Sequence, residues 1–145
     1  MTDVVFDIDG TLANITHRLH YIKTKPKNWK AFQNKVSEDA PILPTIHLLG
    51  LLDNAGCRIV LASGRNEEAR ADTEAWLEQH GVIYERLYMR SLNDYRDDSI
   101  IKKEILDEMR QDGYDPYMVF DDRKRVVDMW RENGIQTYQV AEGDF

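Results

Sequence analysis

Hydrophobic and polar positions alternate along this chain in blocks whose period switches between strand-like and helical. Val4, Val5 and Phe6 form a short apolar run that predicts a buried strand, and it leads straight into Asp7, Ile8, Asp9, Gly10 and Thr11. Residues 14–44 are the least regular part. Trp29, Phe32 and Val36 recur at helical spacing and predict a short helix over 28–36, with Trp29 expected in its core rather than, like Tyr21, free to stack on a base, while Pro26, Pro41 and Pro44 interrupt the pattern.

From residue 45 the rhythm becomes regular. Residues 45–55 predict a helix with Leu48, Leu49 and Leu52 on one face, and 58–62 a strand. Residues 66–80 predict a helix carrying Ala69, Thr73, Trp76 and Leu77, and 84–89 a strand. Residues 99–111 predict a helix with Ile101, Ile105 and Met109 in line, and 117–120 a strand. Residues 124–133 predict a helix with Val126, Val127 and Trp130 inside, and 136–140 the last strand. Each of these four helices stops at a glycine (Gly56, Gly81, Gly113, Gly134), the usual end signal. The alternation predicts an α/β fold: a doubly wound parallel five-stranded sheet with helices on both faces and a small cap-like insert, residues 14–44, after strand 1. In such sheets ligands bind at the carboxyl ends of the strands, so Asp7, Ser63 and Asp121 are expected to converge.

Composition narrows the class. At 145 residues, with 42% hydrophobic and 31% charged, the chain reads as one globular domain over 1–145. No apolar stretch approaches membrane-spanning length, and the immediate start of a strand predicts no signal peptide. The single Cys57 reads as a buried small hydrophobe. These points predict a cytoplasmic protein with no membrane partner. The net charge of −7 at first argues against a nucleic-acid partner. Its distribution says more: residues 10–37 hold six basic side chains (Arg18, Lys23, Lys25, Lys27, Lys30, Lys35) and no acid. Such a segment can guide a phosphate backbone, or simply be a solvated lysine-rich loop.

The chemistry-bearing residues gather at predicted strand ends. Alternation along a strand puts Asp7 and Asp9 on one side, where two carboxylates repel unless a hard cation such as Mg2+ lies between them. Ser63 offers a hydroxyl, the helix expected from Asn66 offers free N–H groups, and Arg65 offers a fork for phosphate. Asp98 and Lys102, four apart on a predicted helix, face the same way: Lys102 suits a site anion, and Asp98 suits a helix cap. The tandem Asp121-Asp122 suits a metal, with Arg123 offsetting its charge. His17, His20, His47 and His80 show no metal-ligand spacing, and neither a nucleotide-binding Gly-x-x-x-x-Gly-Lys-Ser/Thr loop nor a Ser-His-Asp set is evident.

The order of D-I-D-G-T, S-G-R, a lysine and D-D after a strand resembles the haloacid dehalogenase-like phosphatase superfamily. D-I-D-G-T-L-A, R-D-D-S-I-I-K-K-E-I, D-D-R-x-x-V-V-x-M-W-R and Q-V-A-E-G-D-F are similar, more narrowly, to the 3′-phosphatase domains of phage-type polynucleotide kinase/phosphatases. That resemblance implies a Mg2+-dependent polynucleotide 3′-phosphatase acting on DNA or RNA ends, with 2′,3′-cyclic phosphates as a further substrate class, and a separate kinase or ligase as partner. It implies Asp7 as nucleophile, Asp9 as general acid and base, and Ser63 and Lys102 holding the phosphoryl group. Asp7, Asp121, Asp122 and the Asp9 backbone would hold Mg2+, and Arg18, Gly64, Arg65, Asp98 and Arg123 would serve the substrate. A small-molecule phosphatase of the superfamily is the alternative. A phosphoacceptor receiver domain fits less well, because D-x-D-G-T opens the chain and the acidic pair follows the lysine.

Overall fold

The computed structural model describes all of residues 1–145. In chain order its elements are β1 (Asp3–Phe6), β2 (Ala13–Asn14), α1 (His20–Lys23), α2 (Trp29–Asn34), β3 (Ala40–Pro41), α3 (Leu43–Asn54), β4 (Arg58–Asn66), α4 (Arg70–Gln79), β5 (Arg86–Arg90), α5 (Asp98–Gln111), β6 (Pro116–Asp121), α6 (Lys124–Glu132) and β7 (Gln136–Gln139). Five strands form one parallel sheet in the order β5-β4-β1-β6-β7. The chain works outward from β1 to one edge through β4 and β5, then crosses to the other side for β6 and β7. The reversal falls at β1, where open α/β sheets form their clefts.

Successive strand residues feed two separate cores. Val4, Phe6, Ile59, Leu61, Leu87 and Phe120 pack with Leu49, Trp76 and Leu77 of α3 and α4. Val5, Val60, Ala62, Tyr88 and Val119 pack with Ile101, Ile105, Val126 and Trp130 of α5 and α6. Apolar contact on both sheet faces is why these strands read as continuous hydrophobic runs rather than as alternating ones.

Three sequence expectations shift. The second strand does not stop at residue 62 but continues to Asn66, and a 3-10 turn, Glu67–Ala69, precedes α4. The predicted α3 face holds at Leu49 and Leu52, but Leu48 is exposed. Trp29 is not a core residue: it is 47% exposed and meets Phe32 only edge-on, at 5.8 Å between ring centroids. Helix α2 is six residues long, and Phe32 is its only buried side chain. Ala13 and Asn14 of β2 pair antiparallel with Pro41 and Ala40 of β3, a two-stranded ribbon that ties the ends of the intervening segment together.

Candidate active site

The register of the central strands sets the site. Phe6 lies level with Leu61 on one side and Phe120 on the other, so the residues that follow each strand emerge together. The Asp7 N–H donates to the Phe120 carbonyl at 3.0 Å, which brings Asp7 beside the β6 terminus. Asp7, Asp121 and Asp122 are all buried, and each offers one carboxylate oxygen within 4.8 Å of the others. Lys102, on the second turn of α5 and also buried, donates to Asp7 at 2.7 Å and to Asp121 at 2.9 Å. Thr11 donates to Asp7 at 3.1 Å, and the Trp130 indole N–H donates to Asp121 at 3.3 Å.

Three buried carboxylates against one ammonium leave an excess of negative charge. Burial, and the nearby charge of Asp121, push the Asp7 carboxyl well above its ordinary proton affinity. Burial raises that of Asp122 as well. Burial opposes the Lys102 charge, yet Asp121 and Asp7 outweigh it and hold the ammonium more firmly than usual. A hard divalent cation among three oxygen donors removes this imbalance, so the donor set fits such an ion.

Gly10 makes the close approach possible. Its φ of +81° is open to glycine at no steric cost, and a Cβ there would collide with the Asp122 carboxylate. On the other side of the pair, the C-terminal segment wraps the loop. The Val140 N–H donates to the Asp121 carbonyl at 3.0 Å, Gln139 donates to the Asp122 carbonyl at 3.1 Å, and buried Gly143 lies directly on the Asp122 backbone. The Q-V-A-E-G-D-F stretch therefore buttresses the acidic loop from behind.

Asp9 departs from expectation. Its carboxylate does not share a cation position with that of Asp7, but accepts from Arg65 at 2.7 and 2.9 Å and from Arg18 at 3.0 Å. Burial alone would raise its proton affinity, but Arg65 and Arg18 outweigh burial and hold the carboxyl below the ordinary range. The two guanidinium groups bond this carboxylate directly, so their charge prevails over repulsion from neighbouring acids. The two arginines are also not free forks for phosphate. Both are fully buried, and Arg65 is spent on Asp9, Asp39 and Thr73. Arg18 bonds Asp39 through Nε and Nη2 at 2.8 and 2.9 Å.

Asp39 is the residue that sequence reasoning missed. It is buried, accepts from both arginines and meets His17 Nε2 at 2.6 Å, making it the hub that orients the pair holding Asp9. Its one signal is position: with Glu38 it ends the acid-free stretch of 10–37.

Ser63 is buried near the end of β4. Its Oγ accepts the Arg65 N–H at 3.1 Å, and no protein acceptor takes its proton, so the hydroxyl can donate to an incoming oxygen. The expected helix N–H groups beside it are absent, because the chain stays extended to Asn66. Asp98 does not cap α5. That role falls to Asp97, which accepts the Ser99 N–H at 3.0 Å. Asp98 instead accepts from Arg90 at 2.6 Å and from Arg123 at 3.2 Å, and it presses so closely on Gly64 that a Cβ there would collide with it. Arg123 also donates to the Phe145 carbonyl at 2.9 Å.

Comparisons with known proteins identify the family. The sequence model of the family described as "Polynucleotide kinase PNKP phosphatase domain" matches residues 1–145. A protein of Autographa californica nuclear polyhedrosis virus described as a bifunctional polynucleotide kinase/RNA ligase is 32% identical over 136 residues, covering 92% of this chain and 18% of the viral one. A chain in a structure of the Pnkp1/Rnl/Hen1 complex superposes with a TM-score of 0.86 at 36% identity, over 99% of this chain and 47% of that one. A haloacid dehalogenase-like family hydrolase from Streptococcus pneumoniae shares the fold at a TM-score of 0.64 and 17% identity, over 94% of this chain and 83% of its own. The chain thus spans less than half the length of the two nearer relatives.

Proposed function

The chain belongs to the polynucleotide kinase PNKP phosphatase-domain family of haloacid dehalogenase-like phosphatases, and on that premise we propose that it is a Mg2+-dependent polynucleotide 3′-phosphatase of nucleic-acid end repair. The substrates proposed are 3′-phosphorylated DNA or RNA ends, with 2′,3′-cyclic phosphates as a further class. Working beside a separate kinase or ligase is part of the proposal, motivated by the kinase/ligase description of the viral relative. Within the same reading, 1–145 is one doubly wound domain, and 14–44 is a small cap-like insert over its mouth. No helix is long and apolar enough to cross a membrane.

One observation supports this most. Asp7, Lys102, Asp121 and Asp122 come from opposite ends of the chain, yet form a single buried contact set at the sheet's switch point. In the proposed reaction an Asp7 carboxylate oxygen attacks phosphorus and the bond to the sugar O3′ breaks. Asp9 gives a proton to O3′, and an aspartyl-phosphate remains on Asp7. Water then attacks phosphorus, Asp9 takes its proton, the bond between phosphorus and the Asp7 oxygen breaks, and inorganic phosphate leaves. Bound among Asp7, Asp121 and Asp122, Mg2+ supplies positive charge that screens the attacking carboxylate from the phosphoryl oxygens. Lys102 fixes the Asp7 rotamer and offsets phosphoryl charge, and Ser63 donates to a phosphoryl oxygen. Arg18 and Arg65 act through Asp9. They hold it ionised in the free protein, which suits its base role. The acid role draws on the incoming phosphate dianion, whose charge beside Asp9 works against the arginines. Asp98 and Arg123 brace the extended backbone at Gly64 beside Ser63.

The test is phosphate release from a 3′-phosphorylated oligonucleotide with Mg2+ and with EDTA, set against 3′-mononucleotides and sugar phosphates. Mg2+-dependent release from the oligomer at higher kcat/KM than from the small substrates is expected. A preference for sugar phosphates would make the chain a small-molecule phosphatase instead.

A further inference from the structure

Most charged side chains of this protein are neutralised in pairs. Thirteen of the nineteen lysines and arginines lie within 4 Å of a carboxylate, from Arg18 on Asp9 and Asp39 to Arg125 on Asp97. Four of the six exceptions are Lys23, Lys25, Lys27 and Lys30, all exposed and all within eight residues of chain. On a protein with 26 acids, a run of lysines that meets no carboxylate is a local positive field rather than an average solvated face. In its midst stands Trp29, 47% exposed, with the Lys27 ammonium 5.5 Å from its ring centroid.

This surface connects to the acid–base side of the site through direct contacts. The Trp29 ring meets Phe32 at 5.8 Å, the Arg18 guanidinium lies 4.3 Å over the Phe32 ring, and Arg18 donates to Asp9 at 3.0 Å. Two side chains therefore separate an open aromatic face from the carboxylate proposed to protonate the leaving sugar. An exposed indole with an ammonium group over its ring, in a run of unpaired lysines, is the pairing by which proteins hold single-stranded nucleic acid: a base stacks on the ring while the ammonium groups follow the phosphates.

We infer that Trp29, with Lys23, Lys25, Lys27 and Lys30, forms the docking platform for the single-stranded polynucleotide upstream of the 3′ end. A base lies on Trp29, and the backbone runs along the lysines toward Asp9. The inference rests on the polynucleotide 3′-phosphatase reading and names the surface that makes the substrate a polymer rather than a nucleotide.

Two measurements test it. In the first, quenching of tryptophan fluorescence follows binding of an unphosphorylated single-stranded oligonucleotide, which needs no chemistry. Trp29→Ala is expected to weaken that binding roughly 5- to 150-fold. Replacing the four lysines together by Gln is expected to flatten the slope of log affinity against log salt by roughly 0.7 for each lysine that meets a phosphate. Because Trp29→Ala removes the reporter, its affinity is read by anisotropy of a labelled oligonucleotide. In the second, kinetics on a 3′-phosphorylated oligomer and on a 3′-mononucleotide are compared. Both variants are expected to raise KM for the oligomer and leave the mononucleotide, which has no upstream backbone, unchanged. Unaltered oligomer affinity and salt slope in both variants overturn the platform. So does unaltered oligomer binding together with lost capture of an acidic protein, which would assign the patch to a protein partner. If the parent protein binds oligomers in this way but releases no phosphate from their 3′ ends, the platform stands and the 3′-phosphatase reading falls.

Discussion

The two halves of the candidate site are built by different means. The half containing Asp7, Asp121 and Asp122 hangs from adjacent parallel strands, whose ladder hydrogen bonds position the backbone before any side chain is placed. The half around Asp9 depends on a segment with little regular structure, closed at its ends by the β2–β3 ribbon and fastened by the ion-pair hub of Asp39 with Arg18 and Arg65. A charge cluster on a sheet tolerates internal repulsion because the ladder holds it together. A charge cluster that itself fastens an irregular segment has to be attractive, and here it is: two guanidinium groups face two carboxylates. The repelling half is suited to an ion, the attracting half to orienting a proton carrier.

The largest expected effect lies at the first half. Asp7→Asn keeps the shape and removes the nucleophile, so phosphate release from a 3′-phosphorylated oligomer should fall by at least about 10⁴-fold. Substantial residual turnover would strip Asp7 of that role. Asp39→Asn comes next and acts on the second half alone. With Arg18 and Arg65 left short of a buried partner, stability should drop by about 3–5 kcal/mol. Turnover should fall about 10²-fold through misplacement of Asp9. Stabilisation by Mg2+, seen as a rise in Tm, should survive in this variant; its loss would show that the two halves are not separable.

Asp122→Asn tests the repulsion. A carboxyl whose proton affinity is raised by folding destabilises the native state once the pH exceeds its unfolded value of about 3.9. The variant should therefore melt higher than the parent in EDTA at neutral pH, by about 2–4 °C for each kcal/mol relieved, and the gain should vanish below about pH 4. Adding Mg2+ should raise Tm in the parent and little in the variant. The smallest change concerns the C-terminal buttress. Gly143→Ala places a methyl against the Asp122 backbone and should cost about 1–3 kcal/mol of stability, with weaker Mg2+ stabilisation as the loop shifts. An unaltered response to Mg2+ would separate that segment from the acidic loop.

Legibility follows the same division. From residue 45 onward the helices and strands were readable because their apolar periods are regular and glycines mark the helix ends. Asp7, Asp121 and Asp122 were readable because strand ends in a parallel sheet must converge, whereas the spacing of Lys102 from Asp98 fitted a surface pair on a helix equally well. Trp29 was misjudged because helical spacing says which residues share a face but not whether anything covers it. Arg65 read as a phosphate grip because a sequence shows a charged fork without its partner. Asp39 was missed because its meaning comes wholly from residues 21 and 26 positions away.

What the amino-acid order determined by itself was periodic and local: element types, the parallel sheet, and which acids lie at its carboxyl edge. Only the folded chain decided how charge is shared: that Asp9 belongs to the arginines, that Asp98 braces Gly64, and that the lysines around Trp29 remain without partners. Backbone propensity and hydrophobic period act over a few residues, whereas electrostatic pairing depends on distances that exist only after distant segments have met.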